Sequence, residues 1–365
     1  MEPIDAAEAT RLMQAAEYPC AVGASGRERG VFASRDIEAG TCIASERPFA
    51  LTIAREACAY RCAHCLADSR MTDGSGPSAW PRRCAGCKTL CFCGERCEAA
   101  VRARGHDECE CEALAAVAAD ASIEDDEMYE QVVQAVRILC DRAAGRTVDA
   151  GPAGVVGFAS YAARLVGHPP GSDAARQALR ASAAAALRAL PERARVPPAE
   201  LTRLLERHSC NLYGVTLHGV RGQPGSDTAS ASFVGFLHLF NHACNPNIVF
   251  DAASPLHGAT DKGDPPCYGL YTLERVRPGQ ELRLAYLSGR EGPGLRREHL
   301  REWYGFDCTC ERCECDDPCE ELAFAEALDA LRCTADDGCC SGLGVQLAEG
   351  ELRCVSCAEI FEPDS

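Results

Sequence analysis

Eight potential metal ligands occur at short intervals between residues 62 and 109. Zinc prefers four thiolate or imidazole ligands in a tetrahedron, and a Cys-x2-Cys turn supplies two of them at once. Two such turns, a third close pair of cysteines and a final histidine with a cysteine would hold two ions. Because protein side chains would fill every position, we expect both sites to be structural. The predicted ligands are Cys62, Cys65, Cys84, Cys87, Cys93, Cys97, His106 and Cys109.

A second group of chemically capable residues follows an apolar run, in the segment GFLHLFNHACNPNIVF. Taken alone, Asn241, His242 and Cys244 would be interpreted as part of a turn after a buried strand. That interpretation does not account for two segments further on, LERVRPGQELRLAYL and REWYGFDCTCERC, which bring Tyr286 and three closely spaced cysteines. The three segments together indicate one site with a metal beside it.

The composition favours metal sites over disulfide bonds. The 365 residues include 26 cysteines, twelve of them before residue 112 and ten between residues 308 and 357. The acidic start MEPIDAAEATRLMQ lacks the apolar core of a secretory signal. We therefore expect a reducing compartment, the nucleus or the cytoplasm, where thiols bind metals. No run of 18 apolar residues occurs, so no membrane partner is expected.

The charge bears on the kind of partner. The net charge is −17, and an acidic surface repels phosphate backbones and attracts Lys/Arg-rich peptides, although the same charge could serve solubility alone. Residues 58–111 carry eight Lys/Arg against seven Asp/Glu, which is no basic patch. We expect a lysine-containing protein as partner and no direct contact with nucleic acid.

The elements that must position these residues follow from the periodicity. Residues 20–57 and 211–290 show short β-type runs separated by turn residues. Residues 112–145 and 174–207 show apolar residues at helical spacing. The sequence therefore predicts an α+β fold in which a cysteine module and a helical insert split a strand-rich region.

The motifs resemble the SET and MYND domain-containing (SMYD) family of protein lysine methyltransferases. Asn241 to Asn247 is similar to the NHSCxPN motif, with Ala243 in place of serine. The segment from Gly279 to Tyr286 resembles GEELxxxY, with glutamine at the first glutamate. GRERGVFA is a degraded form of the N-terminal GxGxxA-like motif, and Cys308-x-Cys310-x2-Cys313 resembles the post-SET cysteines. The resemblance covers residues 18–320.

The resemblance implies S-adenosylmethionine as cofactor. The backbone of Arg27, Glu28 and Arg29 would contact its methionine end. Asn241 and His242 would hold the ribose and adenine, with Phe306 packed on the adenine and Asn211 on the cofactor side. A lysine channel would be lined by three tyrosines, of which Tyr286 is the residue expected to carry the chemistry; the three are Tyr286, Tyr304 and Tyr213.

The resemblance also assigns the zinc ligands. The first and third cysteine pairs would share one ion, and the second pair would share another with His106 and Cys109. The usual final spacing is His-x3-Cys, so Cys111 is an alternative to Cys109. A third zinc would be held by Cys244, Cys308, Cys310 and Cys313.

The tail suggests a fourth zinc site. A Cys-x6-Cys pair, a short strand pair around GVQL and ELRC, and a Cys-x2-Cys pair resemble a zinc ribbon, and Cys339 could replace Cys340. The predicted ligands are Cys333, Cys340, Cys354 and Cys357. The long C-terminal helical domain of larger family members is missing, so we expect a more open substrate cleft.

The resemblance divides the chain into six parts. They are the N-terminal SET part (18–57), the MYND finger (58–111), the helical insert (112–207), the core SET domain (208–290), the post-SET segment (291–320) and the zinc-ribbon-like tail (321–365). It implies a monomeric enzyme that methylates lysine in a histone or another protein. The alternative is a catalytically inactive SET/MYND protein whose finger docks Pro-rich peptides, which the degraded GRERG motif and Ala243 would suit.

Overall fold

The computed structural model describes most of the chain. The described ranges are residues 6–25, 28–69, 79–151, 155–158, 161–162, 165, 170–216, 228–233, 235–251, 266–287, 291–315, 317–334, 343–347, 351–355 and 359–362. Within them, the α-helices are α1 (Ala6–Ala15), α2 (Glu95–Arg104), α3 (Glu108–Ala119), α4 (Asp126–Ala143), α5 (Asp173–Ala189), α6 (Pro198–Ser209), α7 (Pro293–His299), α8 (Glu311–Glu314) and α9 (Pro318–Asp329).

Short helical turns and strands complete the secondary structure. The 3-10 turns span Arg55–Ala57, Glu192–Ala194 and Leu237–Leu239, and a π-helical turn spans Leu300–Tyr304. The strands are β1 (Cys20–Ser25), β2 (Glu28–Ala33), β3 (Cys42–Glu46), β4 (Ala50–Ile53), β5 (Arg82–Arg83), β6 (Cys91–Phe92), β7 (Thr147–Asp149), β8 (Val155–Gly157), β9 (Leu212–Thr216), β10 (Thr228–Ser232), β11 (Asn241–His242), β12 (Ile248–Phe250), β13 (Tyr268–Thr272), β14 (Glu281–Leu284), β15 (Gly344–Gln346), β16 (Leu352–Cys354) and β17 (Ile360–Phe361).

The largest sheet is arranged around β14. Its strand order is β1, β2, β14, β12, β13, β3, with β11 also paired to β14. β14 runs antiparallel to β2 but parallel to both β11 and β12. Apolar side chains of these strands, among them Val31, Ile248 and Leu282, are fully buried. Three segments far apart in sequence, in β2, β11 and β14, therefore lie side by side.

A three-stranded sheet in the order β4, β10, β9 shares a hydrophobic core with the large sheet. Phe233, which follows β10, lies at the centre of the contact. Its ring centroid is 5.4 Å from that of Tyr213 on β9, 5.7 Å from Phe250 on β12 and 6.0 Å from Tyr268 on β13. Aromatic packing thus fixes β9 against the large sheet.

Helices α3 to α6 form a second core together with the cysteine module. Apolar residues of α4 recur at helical spacing, and Val132, Val136 and Leu139 are buried. The helices begin at favourable residues: Asp125 caps α4 by accepting from the amide of Met128, and Ser172 caps α5 in the same manner. The strands and helices predicted from periodicity are confirmed, whereas the domain boundaries stay a prediction.

None of the described helices combines the length and the apolar composition that crossing a membrane requires.

A buried glutamate joins the large sheet to the segment that precedes β11. Glu46, at the end of β3, has no solvent exposure. Its carboxylate accepts from the backbone amides of Gly235 (2.5 Å), Phe236 (2.9 Å) and Leu237 (3.3 Å). Charge-assisted bonds of this kind are the strong ones, and they offset the cost of burying the carboxylate. The start of the 3-10 turn is thereby held against β3.

The tail forms a sheet of its own that packs on the large sheet. β15, β16 and β17 pair in that order, so the predicted strand pair is confirmed. Arg353 donates to the buried Asp251 at 2.6 Å. Val345 and Val355 are buried against Tyr271 on β13. The tail is therefore fixed to the sheet by an ion pair and an apolar contact.

We expect Glu46→Gln to destabilise the protein by about 1.5–3 kcal/mol, because a neutral amide loses the charge in three buried hydrogen bonds. Urea denaturation should show a lower midpoint with an unchanged m-value. The control is Glu56→Gln, an exposed position before β5 whose effect should stay within about 0.5 kcal/mol. Equal midpoints for the two variants would contradict the role of Glu46.

Candidate active site and metal centres

Asn241 connects three strands of the large sheet. Its side-chain amide donates to the carbonyl of Arg29 on β2 at 2.8 Å and to the carboxylate of Glu281 on β14 at 2.9 Å. The carboxylate of Glu281 lies where a β-carbon on residue 30 would stand, so Gly30 is required there. Asn241 remains partly accessible. The predicted cofactor motif therefore lies against the predicted N-terminal strand, as the resemblance implies.

His242 forms a bridge between a cysteine and an aromatic residue. Its Nδ1 accepts from the backbone amide of Tyr286 at 3.0 Å, and its Nε2 lies 3.3 Å from Sγ of Cys244. Burial lowers the pKa of His242 to about 4, so the ring is neutral. With Nδ1 as acceptor, the proton belongs on Nε2 and points to the sulfur. One imidazole thus orients both neighbours.

A cavity of about 210 Å³ lies beside Asn241 and His242, and tyrosines form much of its wall. All three predicted channel tyrosines line it, and so does Asn211. Tyr286 lies 5.0 Å from Tyr304 between ring centroids. The hydroxyl of Tyr286 donates to the carbonyl of Phe240 at 2.8 Å. The structure therefore brings the predicted aromatic residues together.

Phenolic groups in this cavity stay protonated. Burial raises the pKa of Tyr304 to about 12 and raises that of Tyr213 well above its usual value. Tyr213 donates its hydroxyl hydrogen to the carbonyl of Leu237 at 2.7 Å. Because the hydroxyl hydrogens of Tyr213 and Tyr286 are committed to backbone carbonyls, their oxygen atoms keep lone pairs for another donor.

Phe306 lies at the outer side of the site. Its ring centroid is 6.1 Å from that of His242 and 6.5 Å from that of Tyr304, and the ring is half-buried. Asn211 is buried, and its amide donates to the carbonyl of Arg207 at 2.6 Å. Arg27 lies outside the described residues, and Glu28 begins β2.

Four cysteines meet directly beside His242. Their sulfur atoms lie within 4.8 Å of one another, and all four residues are buried; they are Cys244, Cys308, Cys310 and Cys313. Sγ of Cys244 lies 3.4 Å from Sγ of Cys313, and its amide donates to Sγ of Cys310. Hydrogen bonding with Cys244 and Cys308 holds the pKa of Cys310 far below its usual value. The predicted third ligand set is therefore assembled and able to hold zinc.

Two buried arginines surround this cluster. Arg312 donates to the carbonyl of Cys244 at 3.2 Å, and both Arg312 and Arg296 pair with Glu321. Arg296 is fully buried, which opposes its charge, but Glu321 and Cys244 outweigh burial and raise the pKa of Arg296. The surroundings are thus prepared for negative charge on the sulfur atoms.

The first cysteine cluster in the finger has the composition that the resemblance implies. Its four sulfur atoms come from Cys62, Cys65, Cys93 and Cys97. Sγ of Cys93 lies 3.6 Å from that of Cys65 and 3.4 Å from that of Cys97. Leu66 adopts a positive φ of 63° in the turn that carries the first pair. A hydrogen bond from Cys65 is the main cause that lowers the pKa of Cys62 to about 4.

The second finger cluster corrects one predicted ligand. It consists of Cys84, Cys87, His106 and Cys111, so the fourth member is Cys111 and the predicted Cys109 is wrong. Sγ of Cys111 lies 3.6 Å from Sγ of Cys84. Sγ of Cys109 instead lies 3.4 Å from Sγ of Cys140. Because α3 begins at Glu108, the two cysteines point about 200° apart around the helix, and only one can face the metal.

The imidazole of the second cluster is fixed from behind. His106 Nε2 lies 3.2 Å from Sγ of Cys84, and its Nδ1 lies 3.7 Å from the carboxylate of Glu110. Glu110 in turn pairs with Arg137 at 3.2 Å. A carboxylate behind a histidine ligand is the arrangement that orients imidazole toward a metal.

The tail site is only partly covered by the described residues. Cys354 lies on β16 and Cys333 follows α9, with both residues described. Cys339, Cys340 and Cys357 lie outside the described residues. The fourth zinc site stays a prediction.

Comparison with known proteins identifies the family. The profile of the SET domain matches residues 28–287. The chain belongs to the SET domain family. It is 21% identical to the histone-lysine N-methyltransferase ASHR1 of Arabidopsis thaliana over 90% of this chain and 62% of that protein. The chain therefore spans about 62% of the length of that relative.

Shorter similarities connect this SET domain to proteins with a finger. It is 27% identical to a SET and MYND domain-containing protein of Dictyostelium discoideum over 32% of this chain and 21% of that protein. It is 32% identical to the histone-lysine N-methyltransferase SMYD3 of Mus musculus over 22% of this chain and 16% of that protein. The narrower SMYD assignment stays a prediction.

Two features of the SET domain site were missed in the sequence. His238, three residues before Asn241, also lines the cavity. The arginines beside the third cluster were not recognised either. A polar residue inside the apolar run GFLHLF was the available signal for His238. No spacing rule marks Arg296 and Arg312, because their role depends on packing.

We expect Cys111→Ser to lower the zinc content by one ion per chain, because a hydroxyl is a poor replacement for thiolate. Elemental analysis of the purified full-length protein would measure this. Cys109→Ser is the matched control, two residues away on the same helix, and should keep the full zinc content. Zinc loss in the Cys109 variant alone would return the ligand role to Cys109.

Proposed function

We propose that the protein is an S-adenosylmethionine-dependent protein-lysine N-methyltransferase. The observation that carries the proposal is the convergence of Asn241, His242 and three tyrosines on one cavity. SET family membership supports protein lysine methylation at the level of the family. Relatives that span different parts of the chain are named histone-lysine N-methyltransferases.

The residues present suit this cofactor. Asn241 and the Arg29 carbonyl offer polar contacts for a ribose or an amino acid, and the half-buried Phe306 and His242 offer ring surfaces for an adenine. Gly30 lets the backbone of β2 approach β14 closely. When bound, the cofactor supplies a methyl group attached to a sulfonium.

The channel residues align and desolvate the substrate amine. Displacement at a methyl group requires the attacking nitrogen on the axis of the bond that breaks, so a narrow wall of Tyr213, Tyr286 and Tyr304 serves alignment. A lysine with a pKa near 10.4 must first lose a proton, and burial beside a cation lowers that pKa. Aromatic faces attract ammonium groups by about 0.5–2 kcal/mol. We assign no separate general base.

The three described clusters suit structural zinc. Each offers four ligand atoms within 4.8 Å, with no position left for a substrate. At the third cluster, neutral thiols would leave two buried guanidiniums with Glu321 as their shared counter-charge. Four thiolates on Zn²⁺ carry a net charge of −2, which suits the two arginines. The finger residues 62–111 would act as a MYND-type module that docks Pro-rich peptides.

The substrate would be a basic segment of a protein, such as a histone tail. The net charge of −17 favours Lys/Arg-rich partners over nucleic acid. We propose that the monomer acts in the nucleus or cytoplasm, and that the tail carries the fourth zinc.

Calorimetric titration with S-adenosylmethionine tests the cofactor site. We expect binding by the full-length protein and a loss of at least about tenfold in affinity for Asn241→Ala, because two hydrogen bonds that order the site disappear. Asn245→Ala, an exposed position in the same motif, should bind like the wild type. A wild-type protein that does not bind the cofactor would favour the inactive interaction module.

Methyl transfer to a pool of histone-tail peptides tests Tyr286. We expect Tyr286→Phe to lower kcat by about 10- to 100-fold, because the hydroxyl that holds Phe240 and faces the amine is lost. Cofactor affinity should remain, since the backbone amide still bonds to His242. An unchanged rate would remove Tyr286 from the mechanism.

A further inference from the structure

The segment from residue 235 to residue 240 is clamped at several points. Glu46 holds its beginning through three backbone amides. The hydroxyl of Tyr213 donates to the carbonyl of Leu237, and that of Tyr286 donates to the carbonyl of Phe240. His238 lies between these two carbonyls. Its backbone is therefore fixed by the same tyrosines that line the cavity.

His238 is a polar member of this cavity wall. It is 8% exposed and lines the cavity together with Tyr213, Tyr286 and Tyr304. An imidazole differs from a phenol in this position because its ring nitrogens offer both a donor and an acceptor when neutral. A histidine within the apolar run GFLHLF gains nothing from burial itself. Its place in the wall points to a ligand with N–H groups.

We propose that His238 hydrogen-bonds the substrate amine in the channel and thereby limits the number of methyl groups that the amine receives. The inference rests on the proposed lysine methyltransferase activity and extends it to product specificity. His238 acts as a positioning residue, and the tyrosines remain the main wall of the channel.

The physical reason is the number of N–H bonds on the amine. A neutral lysine amine has two N–H bonds, a monomethyl amine has one, and a dimethyl amine has none. An imidazole acceptor stabilises the first two in one orientation and is left without that bond by the third. A methyl group directed at the imidazole would also displace the hydrogen bond with an apolar contact. Each added methyl group is therefore disfavoured relative to a wholly apolar channel.

Product analysis of His238→Phe tests this role. The variant keeps an aromatic ring but removes both nitrogens. Mass spectrometry of histone-tail peptides, with S-adenosylmethionine in excess, should show the ratio of dimethyl plus trimethyl to monomethyl lysine rising about three- to tenfold. His238→Asn, which keeps an acceptor, should restore a ratio near that of the wild type. His299→Phe, an exposed change at the end of α7, is the matched control.

A second measurement separates this inference from the proposed function. In nuclear magnetic resonance spectra of the full-length protein, n-butylamine serves as a lysine side-chain probe and N,N,N-trimethylbutylammonium as its methylated counterpart. The imidazole signal of His238, assigned by its loss in His238→Phe, should shift with n-butylamine and much less with the trimethyl probe.

The outcomes are distinct. If the wild type methylates peptides but His238→Phe leaves the product ratio unchanged, the role of His238 is overturned. If the wild type methylates nothing, the proposed function fails, and the amine titration decides for His238 alone. Equal shifts with the two probes, or no shift with n-butylamine, overturn the inference. A larger ratio in His238→Phe with rescue by His238→Asn supports it.

Discussion

The two hydrogen bonds of His242 are the interaction on which the site depends. One joins the imidazole to Cys244, a member of the third cysteine cluster, and the other joins it to the backbone of Tyr286 in the channel. Because the ring is neutral and its two nitrogens have opposite roles, it cannot satisfy one neighbour without orienting the other. The order of the metal cluster is thereby transmitted to the wall of the cavity through a single side chain.

That bridge requires a particular strand arrangement. β11 carries His242 and lies parallel to β14, which leads into Tyr286, so the imidazole and the tyrosine amide face each other across one strand pair. β2 lies on the other side of β14 and brings the Arg29 carbonyl to Asn241. The sheet is thus the framework of the site, and the distant helical core positions the finger.

Much of this was predictable from the sequence, for reasons that can be traced. Periodicity located the strands and helices because each buries one face. The ligands of the first and third clusters were predictable because Cys-x2-Cys spacing itself imposes a turn. Cys111 was mistaken for a spare because spacing does not reveal where a helix begins, and the start of α3 at Glu108 decides which cysteine faces the metal. His238 was missed because an isolated histidine in an apolar run is usually only a core residue.

The three described clusters differ in what they support. The two finger clusters pack beside the helical core, and the described residues that line the tyrosine cavity include no ligand from either. The third cluster contacts His242 directly and is surrounded by Arg296 and Arg312. Removing its charge would leave buried guanidiniums undercompensated, which costs several kcal/mol in comparable cases. Metal at the third cluster would therefore govern the active site, whereas metal in the finger would govern the surface that the finger presents to partners.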